Sequence, residues 1–249
     1  LRAQLTAALA GYQEAARQLS ARRATAARAL AKDISARMQE LGMGGGRFLI
    51  ELSPLENAEP AAHGIDRIEF RVSTNVGQAP RAVAKVASGG ELARLSLAVQ
   101  VSCAVDTARC MVFDEVDSGI GGAVAEIVGR ELRALGGGGQ VLCVTHLPQV
   151  AAQGHQHLRV IKYNDGGSTR VRLMALAGAD RVQEIARMLG GVQITQRAQA
   201  HALEMLNAAA VTSTVAAAAA PTPSTSPVAD PAAERRRQTR AGRVKNAGS

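Results

Sequence analysis

The 249 residues suffice for one domain or two, and 47% apolar residues at a mean hydropathy of +0.00 describe a soluble globular chain with no membrane partner. Aromatic residues make up 2% and Trp is absent, which argues against a single-strand nucleic-acid binder that stacks bases on rings. The net charge is +8, but six basic and two acidic residues follow Asn207, so half the excess lies there, which weakens the case for a basic folded surface.

The chain opens on Leu1 with a helical pattern already running, so a truncated chain is expected. No charged start leads into an apolar core and a cleavage site, so no secretory signal is visible. The longest apolar run considered, Val215 to Ala220, is far short of the roughly 20 residues of a spanning helix. Residues up to about Leu41 read as one helix. Leu5, Leu9, Tyr12, Ala16 and Leu19 alternate at the four-and-three spacing of a coiled-coil seam. Arg23 interrupts the seam, and Leu30, Ile34, Met38 and Leu41 resume it in a shifted phase, as a stutter would. Residues 1–43 are therefore expected to be a coiled-coil arm, with an ordinary amphipathic helix as the alternative. Gly42 to Gly46 ends it.

Two strands follow, Phe48 to Leu52 and Arg67 to Ser73, the second with Ile68, Phe70 and Val72 facing inward. The pattern then predicts a helix from Glu91 to about Ala104, a buried strand Cys110 to Phe113, a helix Ala123 to Leu135 and a second buried strand Gln140 to Thr145. Edge-like strands near Leu158 to Tyr163 and Thr169 to Met174, and helices Arg181 to Leu189 and Gln196 to Ala209, complete residues 44–210. Strands alternating with helices predict an α/β fold with a parallel sheet. From Val211 to the end, an aperiodic Ala, Pro, Ser and Thr bias predicts a disordered basic tail. Cys103, Cys110 and Cys143 lie in apolar runs without CxxC spacing, so buried reduced thiols of a cytosolic protein are expected, not zinc ligands.

Ser88-Gly89-Gly90-Glu91 opens a predicted helix with the elements of a capping box. Two consecutive glycines cost backbone entropy, and they are useful where a phosphate approaches a helix N-terminus closely. A well-capped helix is the plainer alternative. Met111 to Glu115 is an apolar strand ending in two adjacent carboxylates, Asp114 and Glu115, whose side chains point differently. One can hold Mg²⁺ beside a nucleotide while its neighbour orients or deprotonates water. Acids that merely finish a strand explain the pair as well. A second apolar strand ends at His146, at the carboxyl edge where open α/β sheets bind ligands, which places His146 near Asp114 and Glu115.

Together these stretches resemble the SMC-like branch of the ABC-type ATPases. Ala87-Ser88-Gly89-Gly90-Glu91-Leu92 is similar to the ABC signature, and Met111 to Glu115 to a Walker B strand with its catalytic glutamate. Val116 to Gly122 is similar to the D-loop, and Val144-Thr145-His146 to the switch histidine. Lys85 to Leu92, Phe113 to Gly122, Val141 to Ala152 and Glu184 to Gly191 are similar in particular to DNA-repair members of that branch. The likeness runs from about Arg47 to Leu206. Ala93 and Ser96 depart from it, standing where a Ser and a bulkier apolar residue are expected, a difference that touches packing more than chemistry.

The resemblance implies the C-terminal lobe of an ABC/SMC-type P-loop ATPase head at the base of an antiparallel coiled coil, residues 1–43 being its C-terminal arm, with ATP and Mg²⁺ as cofactors. On that reading Asp114 holds Mg²⁺, partly through water, Glu115 polarises the attacking water, and His146 contacts the γ-phosphate. Ser88, Gly89 and Gly90 bind the γ-phosphate held by an opposite head, and Asp117 couples the two sites. The implied partners are the N-terminal half of the same head, a second copy across ATP-sandwiched heads, and DNA. The implied role is recombinational repair of double-strand breaks in the cytoplasm, at the nucleoid. Another ABC ATPase, or a non-hydrolytic remnant that serves as an interaction module, are the alternatives. No Gly-x-x-x-x-Gly-Lys-[Ser/Thr] occurs in the chain, so hydrolysis is expected only once the half that carries that loop completes the head.

Overall fold

The computed structural model describes residues 1–55, 59–86, 88–103, 110–165, 168–190 and 193–219, with no side-chain description at 165 and 212–219. The chain divides into Leu1–Val211 and Thr212–Ser249, and only the end of one helix is described in the second unit.

Helix α1 spans Arg2–Glu40. Its C-terminus closes when Met43 N–H reaches back to Met38 O at 2.9 Å, with Gly42 in the left-handed conformation (φ 80°) that this cap requires. The buried residues of α1 are Ala16, Ala27, Ile34 and Met38, while Leu5 and Leu9 of the expected seam are 62% and 38% exposed. Arg23, which interrupts that seam, serves another purpose. It donates to the buried Asp66 carboxylate at 3.1 Å and to His63 O at 2.8 Å, and Ser20 donates to the same carboxylate at 2.7 Å.

Strands β1 (Arg47–Pro54), β2 (Asp66–Ser73) and β3 (Arg81–Ala82) form an antiparallel sheet, β1 pairing β2 in a register from Arg47↔Ser73 to Pro54↔Asp66. Only Val72 of the expected inward trio is buried; Ile68 and Phe70 are 45% and 51% exposed. After a 3₁₀ turn at Val83–Lys85 comes α2 (Gly89–Ser102), then β4 (Cys110–Phe113), α3 (Gly122–Leu135) and β5 (Gln140–Cys143). β4 and β5 pair in parallel, Cys110↔Gln140 through Phe113↔Cys143. A short α4 (Pro148–Gln153), opened by a proline at N1 as helix chemistry favours, leads into an antiparallel hairpin of β6 (His157–Asp165) and β7 (Ser168–Leu176). Helices α5 (Gly178–Gly190) and α6 (Gln196–Ala219) follow.

The architecture is α/β; among the described residues β4–β5 form the expected parallel pairing, while the other two sheets are antiparallel. β4 and β5 are not fully buried, however. Met111, Phe113, Val141 and Cys143 pack on the core, whereas Val112, Leu142 and Val144 are 67%, 45% and 63% exposed. Parallel strands are normally covered on both faces, and among the described residues only one face is. Cys103 and Cys110 are exposed and Cys143 half-buried, so the expectation of buried thiols fails. The disordered tail was expected from Val211, but α6 continues to Ala219, in keeping with the helix preference of its alanines. The remainder of that tail, Ala87 of the signature, Ala104 and Gly191 lie outside the described residues.

The main core gathers Ile34, Met38 and Leu41 of the α1 end, Leu95, Leu97 and Ala98 of α2, Phe113 and Val116, and Ala125, Val128 and Leu132 of α3. A smaller core of Ala151, Ala152, Ile185, Ala186 and Ala202 joins α4, α5 and α6.

Candidate functional site

The carboxyl ends of β4 and β5 stand side by side, with Val144 N–H donating to Phe113 O at 3.0 Å one step beyond the paired residues. The chain leaving β4 and the chain leaving β5 therefore diverge from one edge, and Asp114, Glu115, Asp117 and His146 all lie within four residues of it.

Asp114 is exposed, and one of its oxygens accepts the Glu115 N–H at 2.9 Å. Glu115 has φ 57°, the only described residue other than glycine with positive φ. Such a conformation costs of order 1–3 kcal/mol for a residue with a Cβ and persists where its surroundings enforce it. Here Ser118 N–H bonds to Glu115 O at 3.0 Å and closes the turn. That turn aims the Glu115 carboxylate at the start of α2: a Cβ added to Gly89 would meet Glu115 Oε2 at 2.5 Å. That oxygen is the mobile end of its side chain, so the firmer steric demand is at the second glycine. At Gly90 an added Cβ would meet Ser118 Cβ at 3.0 Å and Ser118 O at 3.1 Å. Ser88 caps α2, accepting the Glu91 N–H at 3.4 Å, so the expected N-cap forms and the first turn of α2 abuts the 115–118 turn.

Asp117 points the other way. Its side chain is 3% exposed, and its Oδ2 accepts from Thr145 Oγ1 at 2.6 Å and His146 N–H at 3.0 Å, and lies 3.1 Å from His146 Nδ1. Three contacts on one oxygen lock the post-β5 turn to the post-β4 turn and fix the His146 ring, which is 71% exposed, with Nδ1 inward. The charge of this edge reaches Cys143, whose thiol is pushed up to about 12 by burial first and then by the Asp117 and Asp114 carboxylates.

The candidate residues thus gather at one edge: Gly89 against Glu115, Gly90 against Ser118, Asp117 against His146, and Asp114 at the end of β4. Two contributors escaped the sequence reading. Arg94 is buried, and its Nη1 donates to Ser118 O at 2.7 Å; burial holds its guanidinium below the ordinary range, opposed by the Glu91 charge. The spacing Gly90–Arg94–Ala98 puts it on the buried stripe of α2, which is the signal that could have revealed it. Thr145 belonged to a noted motif, but nothing in sequence shows that its hydroxyl bonds Asp117.

No protein-family model matches the chain. Curated relatives do. Over 200 residues it is 53% identical to the DNA repair protein RecN of Xylella fastidiosa strain 9a5c and 48% identical to that of Vibrio cholerae, each alignment covering 80% of this chain. Against RecN of Bacillus subtilis it is 37% identical over 201 residues, 75% of this chain.

Over that stretch the chain belongs to the RecN family.

It spans about a third of the length of those relatives, 36%, 36% and 35% respectively. The RecN-like stretch takes in a segment long enough to include the whole edge from Ser88 to His146. Among solved structures, the Smc head domain with a coiled coil and joint from Pyrococcus yayanosii overlaps 64% of this chain and 28% of its own at 22% identity and a TM-score of 0.43. The SMC head domain from Thermotoga maritima overlaps 65% and 52% at 21% identity and a TM-score of 0.32.

Proposed function

We propose that this chain supplies the signature, magnesium and water-activating residues of an SMC-like ATPase head acting on DNA double-strand breaks, in the cytoplasm at the nucleoid. The observation that carries this reading is the single edge on which Ser88–Gly90, Asp114, Glu115 and an Asp117-tethered His146 converge. Supporting it further, the named relatives are DNA repair proteins.

The donor set suits Mg²⁺ held jointly with a nucleotide. Among the described residues no group of three or more His, Cys, Asp or Glu could hold a metal alone, and Mg²⁺ prefers one or two carboxylates plus phosphate oxygens and water. Asp114 would be that carboxylate, one oxygen already oriented by the Glu115 amide. Bound there, the ion would neutralise phosphate charge. Glu115 orients the attacking water and accepts its proton. His146, its Nδ1 side occupied by Asp117, presents Nε2 to the γ-phosphate, and Asp117 couples the two sites through its hold on both turns. Ser88 and the Gly89 and Gly90 amides receive the γ-phosphate carried by a second copy, so ATP joins two heads and hydrolysis parts them.

The other half of the head fits the uncovered face of β4–β5, where Val112, Leu142 and Val144 offer the apolar surface a parallel strand pair normally buries. Hydrolysis therefore belongs to the completed head.

The test uses a head rebuilt with the N-terminal half of a RecN relative. Glu115→Gln lowers turnover by roughly 10²- to 10⁴-fold while ATP-dependent pairing persists, because a base acts mainly in the transition state. Asp114→Asn weakens Mg-ATP binding itself. Steady-state hydrolysis, nucleotide affinity and dimer mass separate these outcomes, and parent turnover in Glu115→Gln would refute the assignment.

A further inference from the structure

The entrance to the β6–β7 hairpin and the start of α5 enclose a cavity of about 420 Å³. Its polar walls are His155, Gln156, His157 and Arg181, and no carboxylate lines it. None of these residues belongs to the edge described above.

Two guanidinium groups crowd the carbonyl end of α4. Arg181 Nη2 donates to the oxygens of Ala151, Ala152 and Gly154 at 3.3, 3.2 and 2.5 Å, and Arg133 Nη1 donates to Gln153 O at 2.5 Å. Each Nε is enclosed. Arg181 lines the cavity, and its Nη1 makes no hydrogen bond among the described residues. His157, half-buried in the same wall, has its Nδ1 enclosed without a partner. His155 is exposed beside it.

The field in this cavity is positive. Burial holds both imidazoles below their ordinary range, and the next causes are Arg133 and Arg181 at His155 and Arg181 at His157. The acid that opposes them at His157 is Glu184, already committed to Arg187 at 2.7 Å and Arg159 at 3.3 Å. Asp180, in the first turn of α5, is not part of the lining. The amino end of α5 begins at Gly178 in the wall itself and adds the partial positive charge of a helix start. Such a field repels metal cations and attracts oxyanions.

We propose that this cavity binds an oxyanion of the phosphate class, held by Arg181 Nη1 and the imidazoles of His155 and His157. Guanidinium and imidazole N–H groups donate to phosphate oxygens in the charge-assisted manner that makes such bonds strong. The cavity is larger than one phosphate, and Leu158 and Leu176 in its walls leave room for an esterified group. The source is either free phosphate or the phosphodiester of a nucleic acid. A bound anion favours imidazolium, so affinity rises as pH falls through the lowered pKa values of His155 and His157, below the ordinary 6.5.

The test uses the full 249-residue chain, with inorganic phosphate and a short DNA duplex as probes and chloride at matched ionic strength as the control. Proton NMR follows the two imidazole titrations. The expected result is that phosphate moves both to higher pH and chloride does not. A matching response to duplex assigns the phosphodiester as ligand, whereas a response to phosphate alone assigns the free ion. His155→Gln combined with His157→Gln is expected to weaken binding of the responding probe by roughly tenfold at pH 6. Arg181→Lys tests the third donor. Because Arg181 also caps α4, the histidine double variant, checked by circular dichroism, decides the matter if that change unfolds the chain. Neither probe acting beyond chloride, or parent affinity in a folded double variant, overturns the site.

Discussion

The stretch from Gly89 to Thr145 and the stretch from Pro148 to Ala209 both bury helices, but with different materials. The first uses large aliphatic side chains: Leu95 and Leu97 of α2, Val116, and Val128 of α3, all 2% exposed or less. The second packs alanines around Ile185, and charge completes it: Glu184, 6% exposed, binds Arg159 and Arg187, while Arg133 and Arg181 cap α4. Among its described residues the first stretch buries charge only at Arg94 and Asp117, each tying one turn to another element, and leaves Asp114 and Glu115 exposed. Where the apolar volume is small, the charged side chains are drawn into packing.

That contrast predicts unequal responses. The largest belongs to Leu97→Ala, which removes a fully buried side chain from the main core and should lower unfolding free energy by about 2–5 kcal/mol in urea denaturation. A loss under about 1 kcal/mol would mean that α2 is held by something other than aliphatic packing. Next comes Gly129→Ala, at the contact between α3 and α4. Its Cβ would meet Gln153 Cγ at 2.7 Å and Val150 Cα at 3.1 Å, and neither is the free end of a flexible chain. Crowding of about 1–3 kcal/mol offsets the roughly 1 kcal/mol that alanine contributes to a helix, so a modest net loss is expected. A stabilised variant would show that α4 moves easily.

The smallest effect is that of Glu184→Gln, about 1 kcal/mol at neutral pH, since both arginine partners are partly exposed. Its sign with pH sharpens the comparison. The Arg187 hydrogen bond, then the Arg187 and Arg159 charges, hold the Glu184 carboxyl below the usual range against the cost of burial. A depressed pKa contributes stability that is full above the unfolded value near 4.5 and fades as pH falls through the folded value. The gap between parent and variant should therefore close below about pH 4.5. The same acid range should leave the loss in Leu97→Ala unchanged.

Much of the candidate edge was legible because its signals are local. Ser88 and Glu91 announce a cap, an apolar run followed by Asp114 and Glu115 announces a strand end, and the run before His146 announces another. The inward set of β2 was not legible, since alternation says that two faces differ but not which one finds a neighbour. Ile68 and Phe70 alternate as a core face should and yet lie half in solvent. The extent of α6 was read too short because compositional bias hid a helical run of alanines.

The sequence by itself determined the element types, the order of the motifs and the residues able to do chemistry, because propensity, capping and side-chain period act over a few residues. Only the tertiary structure decided that Asp117 turns inward to hold Thr145 and His146, that Arg94 bridges to Ser118, and that the Glu115 carboxylate comes to lie against Gly89. Each of these joins segments some 24 to 29 positions apart. Such contacts depend on how β4, β5 and α2 are brought to one edge, and that placement is fixed by packing across the core, which no local pattern encodes.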